Sequence, residues 1–138
     1  MISLNLKSVF NCTKAVINYM IENRIGKVIS IASVAGVMGT AARIDYSAAK
    51  AGVIVFTKTL AKEVASYGVT VNAISPGPIE TGLLLSASQQ RRESLMKSTY
   101  LSRFGKPNEI ANMVASLSSD EADFITGQNF IIDGGRTL

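Results

Sequence analysis

The sequence predicts an α/β domain built on a parallel sheet. Three observations carry this. Short apolar runs rich in β-branched residues, at 27–33, 69–75 and 130–133, alternate with segments whose apolar residues recur at helical spacing, in the order helix, strand, helix, strand, helix, strand. Glycine or proline punctuates each run: Gly26 and Gly36 flank the first, Pro76-Gly77-Pro78 breaks the second, and Gly134-Gly135 follows the third. The 138 residues, 47% of them apolar, suffice for one domain with its own core, and no repeat, linker or low-complexity tract divides them. Right-handed crossovers join parallel strands in such an alternation.

Leu6, Val9, Phe10, Thr13, Val16, Ile17, Met20 and Ile21 share a face and predict a helix over 5–23, ended near Asn23 and Gly26. Lys27–Ser33 suits a buried parallel strand. Residues 34–44, rich in Gly and Ala, read as a loop. Asp45 is placed to cap a helix running to about Tyr67, with Val53, Phe56, Leu60 and Val64 on one face and Gly68 as its stop. Val69–Ser75 is the second strand. Residues 79–104 are polar, include Arg91, Arg92 and Glu93, and predict one amphipathic helix in a mobile segment. Pro107 opens a helix to about Ser118, and Phe130–Asp133 is the third strand.

Several function classes fall away on composition. The net charge is +4, but the fourteen basic residues are spread along the chain without a stripe, so no nucleic-acid footprint is expected. Cys12 stands alone, which leaves no internal disulfide and no cysteine metal cluster; no metal site is expected. The sequon Asn11-Cys12-Thr13 is discounted because nothing suggests secretion. Asn5, Lys7, Asn11 and Lys14 interrupt every apolar run at the N-terminus, and no stretch approaches the ~20 apolar residues of a membrane span. A cytoplasmic protein without membrane association is the expectation. The absence of histidine removes Ser-His and Cys-His nucleophiles and leaves acid–base work near neutral pH to tyrosine or lysine.

Tyr46-Ser-Ala-Ala-Lys50, with Ser33 thirteen residues upstream of Tyr46, is the candidate site. Tyr46 and Lys50 are four apart on a predicted helix and share a face. An ammonium beside a phenol favours the phenolate and brings a proton donor toward neutral pH. Ser33 ends a predicted strand at the sheet edge where ligands bind open α/β sheets, and its hydroxyl can hydrogen-bond a carbonyl or alcohol oxygen. Together the groups suit proton transfer to an oxygen whose carbon gains or loses hydride. The plainer readings are a half-buried tyrosine with a solvated lysine, and a turn serine.

Further segments follow in order: Ser-Leu-Asn5-Leu, Ile-Ala-Ser33-Val-Ala-Gly, Tyr46-Ser-Ala-Ala-Lys50-Ala-Gly, Asn72-Ala-Ile-Ser-Pro-Gly-Pro-Ile-Glu-Thr81 and Ile125-Thr-Gly-Gln through Asp133-Gly-Gly135. In these the chain resembles the short-chain dehydrogenase/reductase family along its whole length, and most closely the 3-oxoacyl-(acyl carrier protein) reductase type. The resemblance implies an NAD(P)-dependent oxidoreductase acting on a small-molecule carbonyl or alcohol. Tyr46 would be the acid/base, Ser33 would orient the substrate oxygen, and Lys50 would ease loss of the Tyr46 proton and bind the nicotinamide ribose. Asn5 would sit at a helix kink and hold a water in the proton relay. Pro76, Gly77, Ile79 and Thr81 would line the nicotinamide side. Asn5 as a helix cap and Pro76-Gly77 as an ordinary turn are the plainer alternatives. Arg24 matches one acyl-carrier-binding position of the family, whereas Tyr67 stands where a second basic residue would be. The resemblance also implies that helices 5–23 and 46–66 form an interface in a homodimer or homotetramer.

Family members carry a Gly-rich turn, Thr-Gly-x-x-x-Gly-x-Gly, that cradles the cofactor pyrophosphate at a helix N-terminus. No two glycines of this chain are two apart, so that turn is not among its residues. The resemblance therefore implies a Rossmann-like parallel sheet truncated to its last three strands and their helices. The chain would open inside the helix after the fourth strand, and residues 1–138 would be the C-terminal part of one dinucleotide-binding domain. Only the nicotinamide end of NADP or NAD would be served, and the edge of strand 27–33 would be open. The alternatives are a non-catalytic remnant that keeps only dimerisation surfaces, and a longer protein in which Met1 is an internal methionine.

Overall fold

Three parallel strands make the sheet in the order β1 (Gly26–Ile31), β2 (Val69–Pro76), β3 (Asn129–Ile132), in a computed structural model describing residues 1–138. The register runs from Gly26 opposite Val69 to Ile31 opposite Ile74, and from Ala73 opposite Asn129 to Pro76 opposite Ile132. A π-helical turn (Ser3–Lys7) runs into α1 (Ser8–Asn23); α2 (Val34–Met38) and α3 (Ile44–Val64) follow β1. After β2 come α4 (Gly82–Leu85), α5 (Gln89–Lys97) and α6 (Pro107–Ser118).

The period of two along the strands sorts their side chains onto two helical layers. Val69 and Val71 meet Ala61 and Val64 of α3 together with Ile17, Met20 and Ile21 of α1, while Ala73 meets Val53. On the other face Ile29, Ile74, Phe130 and Ile132 pack against Ile110, Met113, Val114 and Leu117 of α6. Ile74 and Leu117 are buried almost completely, each worth roughly 1.5–3 kcal/mol in apolar transfer.

The central strand is also stitched to the chain that leads into β3. The Asn72 amide donates from Nδ2 to Ile125 O (2.8 Å), and its Oδ1 accepts from Gln128 N–H (3.1 Å). Thr126 Oγ1 accepts from Val71 N–H at 3.0 Å, and Gly127 N–H donates to Val71 O at 2.7 Å. A buried amide is tolerable only when paired in this way.

Several predicted boundaries move. The helix expected over 5–23 begins earlier, and its first turn is π-helical over Ser3–Lys7. The strand expected at 27–33 spans Gly26–Ile31, and the loop expected at 34–44 holds α2, so Ser33 does not end a strand but caps a helix. Five residues of Gly- and Ala-rich sequence form that helix because Ser33 Oγ accepts the Ala35 N–H at 3.1 Å. Asp45 is not the cap of α3. Arg43 holds that position, and Asp45 lies in the first turn, where its Oδ1 accepts from Tyr46 N–H at 2.7 Å. The α-helix stops at Val64, a 3₁₀ turn covers Ala65–Tyr67, and Gly68 ends it at φ 76°. Residues 79–104 hold two helices, α4 and α5, instead of one. The third strand lies one residue earlier than Phe130–Asp133, while Pro107–Ser118 is the helix the proline announced. β1 lies at the sheet edge with β2 as its one neighbour and is half-buried rather than buried.

Replacing Asn72 with Ala should lower the free energy of unfolding by about 1–3 kcal/mol, because two hydrogen bonds of a buried amide go and half-buried Ile125 O loses its side-chain donor. Urea unfolding monitored by circular dichroism reads this; a loss below ~0.5 kcal/mol contradicts the clip.

Candidate active site

All three strands are parallel, so their C-terminal ends deliver Ser33, Gly77 and Asp133 to one edge of the sheet. Ligands of open α/β sheets bind at that edge.

Two close helix approaches assemble the first half of the site. A Cβ on Gly36 would lie 2.5 Å from the backbone carbon of Lys50, so only glycine lets α2 pack against α3 there. A Cβ on Gly52 would lie 2.8 Å from Leu6 Cδ2, which seats the π-helical turn on α3. The segments carrying Asn5, Ser33, Tyr46 and Lys50 are therefore brought together by contacts made close to them in the chain. Insertion of an extra residue into a turn is what a π-helical segment does, and such turns are frequent at functional sites. Asn5 stands in the middle of this one, with Nδ2 donating to Met1 O at 3.2 Å.

Tyr46 is half-buried in the first turn of α3. Two cations flank its ring: Lys50 Nζ lies 5.8 Å and Arg43 Cζ 5.6 Å from the centroid, within cation–π range. Lys50 Nζ also donates to Ile31 O at 2.8 Å, at the end of β1. Burial holds the Lys50 ammonium below its ordinary pKa of 10.5. An ammonium has three protons to donate and this bond uses one. Ser33 Oγ is engaged as an acceptor from Ala35, which leaves its own proton for a neighbour. Arg43 is not singled out by the sequence reading; its signal is the three-residue spacing to Tyr46 across the helix start.

The second half lies beyond β2. Gly77 N–H donates to Ile132 O at 2.9 Å, and a Cβ on Gly77 would lie 2.7 Å from Asp133 Cα, so a side chain there would force the ends of β2 and β3 apart. Asp133 holds its own turn, with Oδ1 accepting from Gly135 N–H (2.9 Å) and Oδ2 from Thr137 N–H (2.8 Å). Pro76 ends β2, Ile79 forms an isolated bridge with Gly105, and Thr81 precedes α4 with its side chain exposed and not capping the helix. The segment carrying α4 and α5 thus leaves the sheet at Gly77 and returns at Gly105. Its return is fastened by Arg103, which donates to Glu109 Oε2 (2.9 Å) and Oε1 (2.6 Å), the two-pronged geometry that suits guanidinium and carboxylate. Glu109 Oε2 also accepts from Lys106 N–H at 2.7 Å at the start of α6. Hydrogen bonding to Arg103 and then to the Lys106 amide holds the Glu109 carboxyl down to about 2. No motif in the sequence marks this pair. Its trace there is an acidic residue two positions after the helix-starting Pro107 and six after an arginine.

A family model described as enoyl-(acyl carrier protein) reductase matches residues 1–137. The chain belongs to the short-chain dehydrogenase/reductase family. It is 45% identical over 137 residues to a 3-oxoacyl-[acyl-carrier-protein] reductase of Thermotoga maritima, covering 99% of this chain and 56% of that one. A Synechocystis protein of the same name is 49% identical over 138 residues, with 99% and 55% covered. The corresponding Escherichia coli protein is 47% identical, with 99% and 56% covered. Among solved structures, a 3-oxoacyl-[acyl-carrier protein] reductase from Brucella melitensis superposes with a TM-score of 0.94 at 35% identity, over 97% of this chain and 50% of that one. The fold is thus a piece of the family's Rossmann-like sheet, and the chain spans about half the length of the relatives it matches.

The folded value for Glu109, about 2, lies below the ordinary 4.5. Stability from the Arg103–Glu109 pair is therefore fully present above pH 4.5 and is lost as the pH falls through about 2, because the unfolded chain takes up the proton first. Thermal unfolding followed from pH 6 to pH 2 should show a steeper loss in the native chain than in Glu109→Gln; parallel curves count against the pair.

Proposed function

We propose that these residues form the proton-transfer half of an NAD(P)-dependent oxidoreductase site that reduces a carbonyl to an alcohol, or the reverse. The observation that carries the reading is the Tyr46 phenol, flanked by the Lys50 and Arg43 cations at the sheet edge beyond β1, where Ser33 also stands. In the reductive direction Ser33 donates a hydrogen bond to the substrate oxygen. Tyr46 gives that oxygen its phenolic proton as the carbon gains hydride, and the neighbouring cations stabilise the phenolate left behind. Asn5, in its π-helical turn, holds a water through which the tyrosine regains a proton.

The reduced nicotinamide of NADP or NAD supplies the hydride. The residues present fit that end of the cofactor: Lys50 has donors to spare for ribose hydroxyls, Gly77 offers backbone without a side chain, and Thr81 has an exposed hydroxyl. Pro76 and Ile79 line the same side. For the substrate we propose a 3-oxoacyl thioester carried on an acyl carrier protein, since the relatives are named for that reaction. Arg24, the candidate basic contact for such a carrier, donates to Ser66 O at 2.8 Å. It precedes β1, at the end of the strand opposite Ser33.

A second copy of the chain is the proposed partner of α1 and α3. Phe10 and Phe56 pack edge to face at 6.2 Å between those helices, and Phe10, Val16, Tyr19 and Val55 are exposed. The same surface supports the alternative, a non-catalytic remnant that only associates. Cofactor titration combined with size-exclusion chromatography separates the two: a dimer inert to nicotinamide is the remnant.

Two outcomes test the catalytic reading. Tyr46→Phe should cut carbonyl-dependent oxidation of NADPH by about 10²–10⁴-fold in any form that turns over; retained activity refutes Tyr46 as acid. Reduced nicotinamide mononucleotide and NADPH should bind this chain with affinities within a few-fold of each other by fluorescence titration, since no Gly-rich phosphate turn is among its residues. Micromolar NADPH with no mononucleotide binding would overturn that assignment.

A further inference from the structure

The excursion that carries α4 and α5 is pinned at its neck rather than hung from two loose ends. Gly105 N–H donates to Pro78 O at 2.9 Å, and Glu80 N–H donates to Gly105 O at 2.8 Å, so the outgoing and returning chains pair as a short parallel ladder of two hydrogen bonds. The Ile79 side chain lies across this ladder: a Cβ on Gly105 would stand 2.6 Å from Ile79 Cδ1 and 3.7 Å from Glu109 Oε2. Ile79 and the Arg103–Glu109 pair thus line the same small cavity between the neck and the end of β3.

Each side chain of that pair holds a different part of the neck. Arg103 Nη1 donates both to Phe104 O (3.0 Å) and to Glu109 Oε2 (2.9 Å), which ties the returning strand to α6. Glu109 in turn holds the amide that leads into the helix, Lys106 N–H. Phe104, between them, is 4% exposed. The ladder by itself is too short to hold its register without outside support. The end of β3 adds one more tie, where Leu101 N–H donates to Gly134 O at 3.1 Å.

We infer that Arg103 and Glu109 are positioning residues: their two-pronged ion pair latches the neck of the α4–α5 excursion to α6 and so sets where Ile79 stands at the site. This deepens the reading of Pro76–Thr81 as the nicotinamide side and rests on it for the identity of the ligand. The geometry makes a specific demand on residue type. A lysine at 103 would keep the charge but could not bridge both carboxylate oxygens and Phe104 O in one plane. A glutamine at 109 would keep the size and an acceptor for Lys106 N–H but lose the charge that draws both guanidinium prongs.

The test uses the 138-residue chain, labelled for NMR, as native protein, Arg103→Lys, Glu109→Gln and, as a control, Glu121→Gln in the exposed 3₁₀ turn after α6. Hydrogen exchange at the Glu80 and Gly105 amides should speed up at least tenfold in both latch variants, with exchange at Val71 and Ala73 in β2 changed less than threefold and the control like native. The Ile79 δ1 methyl resonance should shift in both variants. Its titration with reduced nicotinamide mononucleotide should weaken at least fivefold. Unchanged exchange at the neck, or a lysine at 103 that behaves as native, overturns the latch. Faster neck exchange with an undiminished mononucleotide titration also overturns it, because the neck would then not set the position of Ile79. If the native Ile79 methyl does not respond to the mononucleotide at all, the nicotinamide reading fails, and neck exchange and the Ile79 shift decide the latch by themselves.

Discussion

The Asn72 amide, buried in the middle of β2, is bonded on both sides to the chain entering β3, and this clip sets the frame for the rest. β2 is the one strand with two neighbours. Its side chains anchor both helical layers, and its last residue is where the backbone turns into the candidate cofactor segment. A three-stranded sheet has little cooperative surplus, so a displaced central strand would carry both layers with it. Placing an amide there is costly unless its polar atoms are paired. Ile125 O and Gln128 N–H satisfy it, and Thr126 and Gly127 extend the same seam along Val71.

From that frame, glycines set the distances of the site. Gly36 brings the middle of α2 onto Lys50, Gly52 brings the π-helical turn onto α3, and Gly77 brings the end of β2 onto Asp133. In each case a Cβ would meet atoms closer than 3 Å, in two of the three at backbone. The candidate site residues are therefore positioned by backbone approaches at neighbouring glycines. On the far side, the Arg103–Glu109 pair fastens the neck that carries Ile79 to the start of α6.

Much of this is legible in the residues. Helix and strand order, Pro107 as a helix start and Gly68 as a stop follow from periodicity and punctuation, both of which are local. Boundaries that depend on a side-chain bond are not. Ser33 reads as the end of a strand because its apolar neighbours continue the β pattern, and the bond to Ala35 N–H turns it into a cap. Asp45 has the right chemistry for a cap, yet the cap is Arg43, two residues earlier, and the helix uses that carboxylate within its first turn. Residues 79–104 read as one helix because their polarity hides the break between α4 and α5. Arg43 and the Arg103–Glu109 pair carry no apolar rhythm to draw attention to them.

The sequence alone determined that the chain is α/β and that Tyr46 and Lys50 share a helix face, because both are written in spacing along the chain, and its ordered motifs carried the resemblance to the short-chain dehydrogenase/reductase family. The tertiary structure decided which partners those groups keep. Lys50 reaches back to Ile31 O, Arg43 joins it beside the Tyr46 ring, Asn5 sits in a π-helical turn, and Glu109 closes on Arg103 to fasten the neck. Such contacts depend on how closely two backbones approach, and that distance is set by packing across the sheet, which no local pattern encodes.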